Sequence, residues 1–221
     1  TLDRNLLRDL LGEAELRELL DPASIETTEL ELQCLADRRK AGNADQLHDI
    51  LRRIGDLGLD EIVARCAAGA PVDAWLRHLN DDHRACEIRV AGEQRWIAIE
   101  DAGHYRDGLG VSPPQGVPEV FLRPSREPLE ALLLRYARCH GPFLAAEPAL
   151  RWNLPVDHVA GALQRLATAE QLLYGDFRPG GHDREWCHPD VLRTLKRRSL
   201  AVLREAVEPV DAAAHARFLA Q

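Results

Sequence analysis

QLLYGDFRPGGHDREWC, residues 171–187, decides the fold. It packs apolar and aromatic positions on both sides of RPGGHD, and Pro179 with Gly180 and Gly181 supplies the backbone angles of a tight tip. Two short strands closing on such a tip form a β-hairpin. Upstream lie three helical stripes. Leu129, Leu132, Leu133, Tyr136 and Ala137 mark the first, which His140-Gly141-Pro142 stops. LAAEPALRW is a short helix, with Pro148 tolerable near the first turn. After a turn at Asn153 and Pro155, Val156, Val159, Ala160, Leu163 and Leu166 stripe a third.

The same order precedes it. Leu47, Ile50, Leu51 and Ile54 share one helix face, ended by Gly55. LDEIVARCA reads as a short second helix. Pro71 opens a third with Val72, Trp75, Leu76 and Leu79 on one face. CEIRV and QRWIAIE alternate with period two about a Gly92-Glu93 turn. Equivalent positions recur at nearly constant spacing: 147 − 61 = 86 for the glutamates, 156 − 72 = 84 for the valines and 186 − 96 = 90 for the tryptophans. A fixed spacing is the mark of a repeated unit. Three helices closed by a two-stranded wing make a winged helix. The expected fold is therefore mainly α with small β-hairpins, an α+β chain of tandem winged-helix modules.

The expected boundaries are a helical lead-in over 1–43, a first winged helix over 44–105, a Pro/Gly-rich linker over 106–127, a second winged helix over 128–190, and a C-terminal helix and tail over 191–221. Within the lead-in, LDRNLLRDLLGEAELRELL reads as helix broken at Gly12, Asp21-Pro22 as punctuation, and Ile25 to Lys40 as helix again. AGNA at 41–44 reads as a connection. Trp75, Trp96, Trp152 and Trp186 are the expected aromatic anchors, buried between modules or subunits.

Composition narrows the function. The chain has 221 residues, 45% hydrophobic and 29% charged, enough for one large or two small cores. No apolar run approaches the ~20 residues of a membrane span, and no leader with an apolar stretch opens the chain. The absence of Met marks it as a piece of something longer. Five cysteines, an odd number with no C-x-x-C pair, point to a reducing cytoplasm. The net charge of −8 argues against a general polyanion binder, but it is uneven. Residues 1–60 hold 8 Lys/Arg and 14 Asp/Glu, giving 8 − 14 = −6, whereas residues 176–206 hold 7 and 5, giving +2.

Chemistry-bearing clusters are few. Cys139-His140 and Cys187-His188, with His182 nearby, offer metal-ligating types, but adjacent side chains diverge and do not converge as zinc requires. No elbow presents a thiolate. Asp81-Asp82 reads as a solvated helix end. The DNA-contact candidates lie in the second module: His158 and Arg165 on the third helix, beside Gly161 and Ala162; Arg178, His182 and Arg184 on the wing; Arg193, Lys196, Arg197 and Arg198 on the last helix. Such cations track phosphates rather than read bases. The first module's third helix ends HLNDDHR, whose acids repel phosphate, so that half reads as a scaffold.

Taken together, GPF, FRPGG, REWC, LKRRSLA, VEPV and the LDRNLLRDLLGEAELRELL opening resemble the C-terminal region of bacterial large helicase-related proteins (Lhr), over essentially the whole chain. The resemblance implies a superfamily 2 helicase core elsewhere, followed by tandem winged helices and a β-barrel. It also implies oligomerisation, and association with DNA repair and uracil removal. There is no G-x-x-x-x-G-K-[ST] loop and no DEAD-type box, so ATP hydrolysis is not expected within these residues. The resulting expectation is a non-catalytic fragment without cofactors of its own, the parent using ATP and Mg. Its partners would be a second copy of itself and DNA, the DNA met through the C-terminal half, with no membrane. The alternatives are part of a DNA (uracil) glycosylase-like domain and a stand-alone winged-helix regulator.

Overall fold

A computed structural model describes residues 19–206. The leucine-rich opening stretch up to residue 18, expected as helix, and the VEPV and AHARFLAQ stretches lie outside these residues.

Helix α1 (Pro22–Leu32) starts where Asp21 accepts the Ser24 N–H at 2.7 Å and Pro22 takes a first-turn position that needs no donor. It stops at Leu32, not Lys40. Cys34 turns the chain with φ of 56°, and Asp37–Arg39 form a separate 3-10 turn. Ala41, expected in a loose connection, is buried and pairs its backbone with Arg65 and Ala67 at 2.8 Å each.

Helix α2 (Ala44–Ile54) is capped by Asn43, which accepts the Gln46 N–H at 2.9 Å, and buries Leu47, Ile50 and Leu51. Gly55 follows with φ of 102°, and a Cβ there would stand 2.6 Å from the Tyr105 hydroxyl. Helices α3 (Leu59–Ala64) and α4 (Val72–Asp81) lead to strands β1 (Ala85–Val90) and β2 (Glu93–Ala98). The two pair antiparallel with Cys86 opposite Ile97 and Ile88 opposite Arg95. The turn sits one residue earlier than expected, at Ala91-Gly92, both with positive φ as a two-residue hairpin requires. Strict alternation fails in β2 because both faces of the hairpin are covered. Cys86, Ile88, Val90 and Ile97 enter one core cluster, while Ala85 and Ala98, with Trp96 beside them, enter another.

Residues 102–109, half of them in the stretch expected as linker, form helix α5 (Ala102–Leu109). Only Ala102, Gly103 and Tyr105 are buried on it, so the stripe is too short to be read from the sequence. Gly103 lets the 119–122 turn pack closely, since a Cβ there would lie 2.6 Å from the Phe121 carbonyl.

The second module repeats the first with α6 (Pro128–Cys139), α7 (Ala146–Trp152) and α8 (Val156–Thr168). Strands β3 (Leu173–Gly175) and β4 (Glu185–Cys187) pair antiparallel, and α9 (Pro189–Ala206) follows. The repeat extends to backbone detail. Leu57 exchanges hydrogen bonds with Trp96, and Phe143 does the same with Trp186, 143 − 57 = 86 positions on. Glu61 accepts the Gly58 N–H, and Glu147 the Leu144 N–H, each at 2.8 Å. Each module is thus a winged helix whose wing is joined by a third, bridging segment.

Hydrophobic residues gather in three clusters among the described residues. One belongs to the first module and one joins α1 to the second wing and α9. The largest runs from the first wing through α5 into α6, α7 and α8. Trp152 and Trp186 belong to that shared core; Trp75 and Trp96 are partly buried against the first-module cluster.

Candidate nucleic-acid interface

The seam between modules is polar at its centre. Asp56, 3% exposed, accepts Arg95 at 2.9 Å, Tyr105 at 2.9 Å and the Trp152 indole N–H at 3.1 Å, and pairs with Arg151 at 3.1 Å. The Asp56 N–H donates to the same Tyr105 oxygen at 2.7 Å. Arg151 also holds Glu61 at 3.0 Å. Burial would raise the Glu61 carboxyl, but the Arg151 hydrogen bond and charge bring it below its ordinary range. Nothing in the spacing of these residues announced the hub: its members come from four elements and the Gly55–Gly58 loop, and polar seams carry no periodicity.

Alongside the seam, the two Cys-His pairs serve packing. Cys139 and Cys187 are buried, and burial pushes their thiols up to about 11 and about 12. His140 stacks on Tyr136 with ring centres 3.6 Å apart, and burial lowers it to about 4, so it is neutral. Among the described residues no three His, Cys, Asp or Glu side chains converge as a metal site.

The sequence-selected residues fall into three groups. On α8, His158 is exposed and carries no side-chain partner among the described residues, while Arg165 is turned to Glu130 of α6, its Nε 2.8 Å away. Ala162, expected on the open face, is fully buried in the shared core, because the α8 stripe includes it beside Val159, Leu163 and Leu166. Gly161 stays partly open, as does the face it shares with His158.

On the wing, Arg178 lies 3.4 Å from buried Glu185, whose Oε2 also accepts the Arg178 N–H at 2.9 Å. Burial holds the Glu185 carboxyl above its usual range. His182 stands exposed at the tip. Arg184 covers the Tyr174 ring, 4.6 Å from its centre, and Tyr174, 40% exposed, stacks on Trp186 at 4.3 Å. This cation–aromatic stack escaped the sequence reading. Its signal was the cross-strand pairing of Tyr174 with Trp186, visible only once the register is known.

On α9, Arg193 pairs with Asp190 at 2.7 Å. Lys196 and Arg197 have no ionic partner among the described residues. Arg198 binds Glu31 at 2.6 Å and the Thr28 hydroxyl at 3.1 Å, fastening α9 to α1. The α4 face of the first module exposes Asp73, Asp81 and Asp82 beside Arg77. No helix among the described residues is long and apolar enough to cross a membrane.

Three helices, a bridging segment and a wing, built twice, define the chain as a tandem winged-helix protein. Residues 18–124 match the family model for the winged-helix domain of large helicase-related proteins. Along 99% of its length the chain is 44% identical to a Mycolicibacterium smegmatis protein named Lhr helicase/probable uracil glycosylase. It is 36% identical, again over 99% of its length, to an Escherichia coli protein named Lhr helicase/uracil glycosylase. It spans only 14% of the length of each of these relatives.

Proposed function

We propose that this chain is a non-catalytic segment of an Lhr-type DNA repair helicase, one that positions DNA and supports self-association of its parent. The observation that carries the DNA reading is the stack of exposed Arg184 on Tyr174, itself 40% exposed and backed by buried Trp186, on a wing that also bears Arg178 and His182. An aromatic face backed by a cation suits an unpaired base, and the neighbouring cations suit its phosphates. Lys196 and Arg197, without an ionic partner among the described residues, add positive charge on the helix that follows. ATP and Mg would be bound elsewhere in the parent, and a cytoplasmic setting fits a nucleic-acid partner. Self-association draws on the exposed Leu200, Val202 and Leu203 of α9, beside a cavity lined by Leu19, Pro22 and Pro179.

Fluorescence anisotropy with labelled single strands and duplexes tests the DNA reading. Tyr174→Ala should cost about 1–3 kcal/mol of single-strand affinity, and unchanged affinity sinks it. Light scattering over a concentration series tests self-association, with a monomer at all concentrations as the contrary result. A base-excision role, carried in the names of both relatives, draws on a cavity of about 350 Å³ between α1 and the wing. It is lined by Ile25, Glu29, Arg178 and Pro179, and burial raises the Glu29 carboxyl. Uracil release by this chain, abolished by Glu29→Gln, would replace the non-catalytic reading.

A further inference from the structure

The most acidic part of the sequence hides a cationic cleft. After α1 ends, the 3-10 turn at Asp37–Arg39 packs beside the last turns of α2. The cleft between them, about 270 Å³, is walled by Arg38, Arg39, Lys40, Arg53 and Gln46, with Asp49 its only carboxylate. Arg38 reaches Glu31 from an exposed position, and Lys40, half-buried, reaches Asp37 at 3.1 Å. Arg39 and Arg53 are exposed and have no ionic partner among the described residues. Four like charges around one concavity repel each other. Among the described residues, none forms an ion pair with Arg39 or Arg53.

The positive surface does not end at the cleft. The Arg53 carbonyl accepts the Cys139 thiol at 3.0 Å, which sets the end of α2 against Arg138 at the end of α6. Arg138 in turn lies 3.4 Å from His188, whose imidazole is lowered by burial and then by Arg138. His188 leads into α9, with Arg193 and Arg197. On the other side, Glu31 is shared between Arg38 and Arg198. These contacts link the cleft to the end of α6 and the start of α9, the elements that carry Arg138, Arg193 and Arg197. The second wing packs along the other side of α1, where Pro22, Ile25 and Glu29 line the cavity under Arg178 and none of the cleft's residues take part.

We infer that this cleft, continued by Arg138 and Arg197, is a second phosphate-backbone site for nucleic acid, separate from the wing. It shares the nucleic-acid reading above but none of the wing's residues. A single small anion would be met by the cleft alone. The continuation onto α6 and α9 fits a chain of phosphates, which is held by cations without base recognition.

The test uses the 221-residue chain, a fluorescein-labelled duplex and its single strand, titrated over a salt series. Arg39→Glu with Arg53→Glu should weaken duplex binding whatever the base sequence. It should make the slope of log affinity against log salt shallower by about 1.8, two contacts at about 0.9 each. Both positions are exposed, so the thermal melt should not move. Arg184→Glu reports on the wing alone. If only that variant loses affinity, the cleft assignment falls and the wing stands. If only the cleft variant does, the wing reading falls. If the wild type binds neither strand form, both fall. Tripolyphosphate binding that the double substitution removes, with DNA affinity unchanged, would mark a small-anion site. Polyglutamate binding removed in the same way would mark an acidic protein partner. Either result overturns the backbone assignment.

Discussion

At the scale of single residues, Asp56 carries the strongest consequences. Two guanidinium groups, a phenol and an indole share its carboxylate, and Arg95 is itself buried. Asp56→Ala leaves those donors without a partner and should cost about 3–5 kcal/mol, read from the urea midpoint. Tyr105→Phe removes one donor and orphans the buried Asp56 N–H, for a loss of about 1–3 kcal/mol. His140 gives a pH signature. Its folded pKa of about 4 lies below the ordinary 6.5, so the unfolded chain binds the extra proton between those values. Its contribution is full above pH 6.5 and fades as pH falls toward 4, by about 3 kcal/mol in all. The raised carboxyls of Glu29 and Glu185 act in the opposite sense, so the quantity to measure is the difference between wild type and His140→Gln. That difference should change across this window and stay flat above it.

At the scale of elements, the sequence was most legible where one face alone is buried. The stripes of α2, α4 and α6 and the alternation of β1 emerge as read, while on α8 Val159, Leu163 and Leu166 are buried but Val156 is exposed and Ala162 joins the core. Legibility failed where tertiary contacts decide. The lead-in helix stops at Leu32 because Cys34 adopts a left-handed turn, which no Gly or Pro signals. Helix α5 buries too little of itself to show a period, yet Gly103 fixes it against the 119–122 turn. Gly103→Ala would force that turn outward and should cost about 1–3 kcal/mol by overpacking, again from the urea midpoint. For the candidate interface, the wing arginines were visible as charge beside a tip. The aromatic stack needed the register. The cleft cations were masked by an acidic average over residues 1–60, because a sum over sequence says nothing about where side chains meet.

At the scale of the whole molecule, the largest core cluster takes residues from both modules. The first wing is therefore a shared wall, and neither module should open alone. Thermal unfolding followed by tryptophan fluorescence and by far-ultraviolet circular dichroism should give one coincident transition. Trp152→Ala should lower that single transition, by about 3–5 kcal/mol, instead of splitting it in two.

The five thiols carry a consequence of their own. All are buried and unpaired: Cys34 and Cys66 in the first-module cluster, Cys86 in the shared one, Cys187 in the cluster under α9, and Cys139 against the Arg53 carbonyl. Burial pushes Cys86 and Cys187 up to about 12, so neither offers a thiolate to an alkylating reagent while its surroundings stay closed. The chain thus has built-in clocks at separate addresses, and the order in which a brief pulse of iodoacetamide labels them would time the opening of each part of the interior.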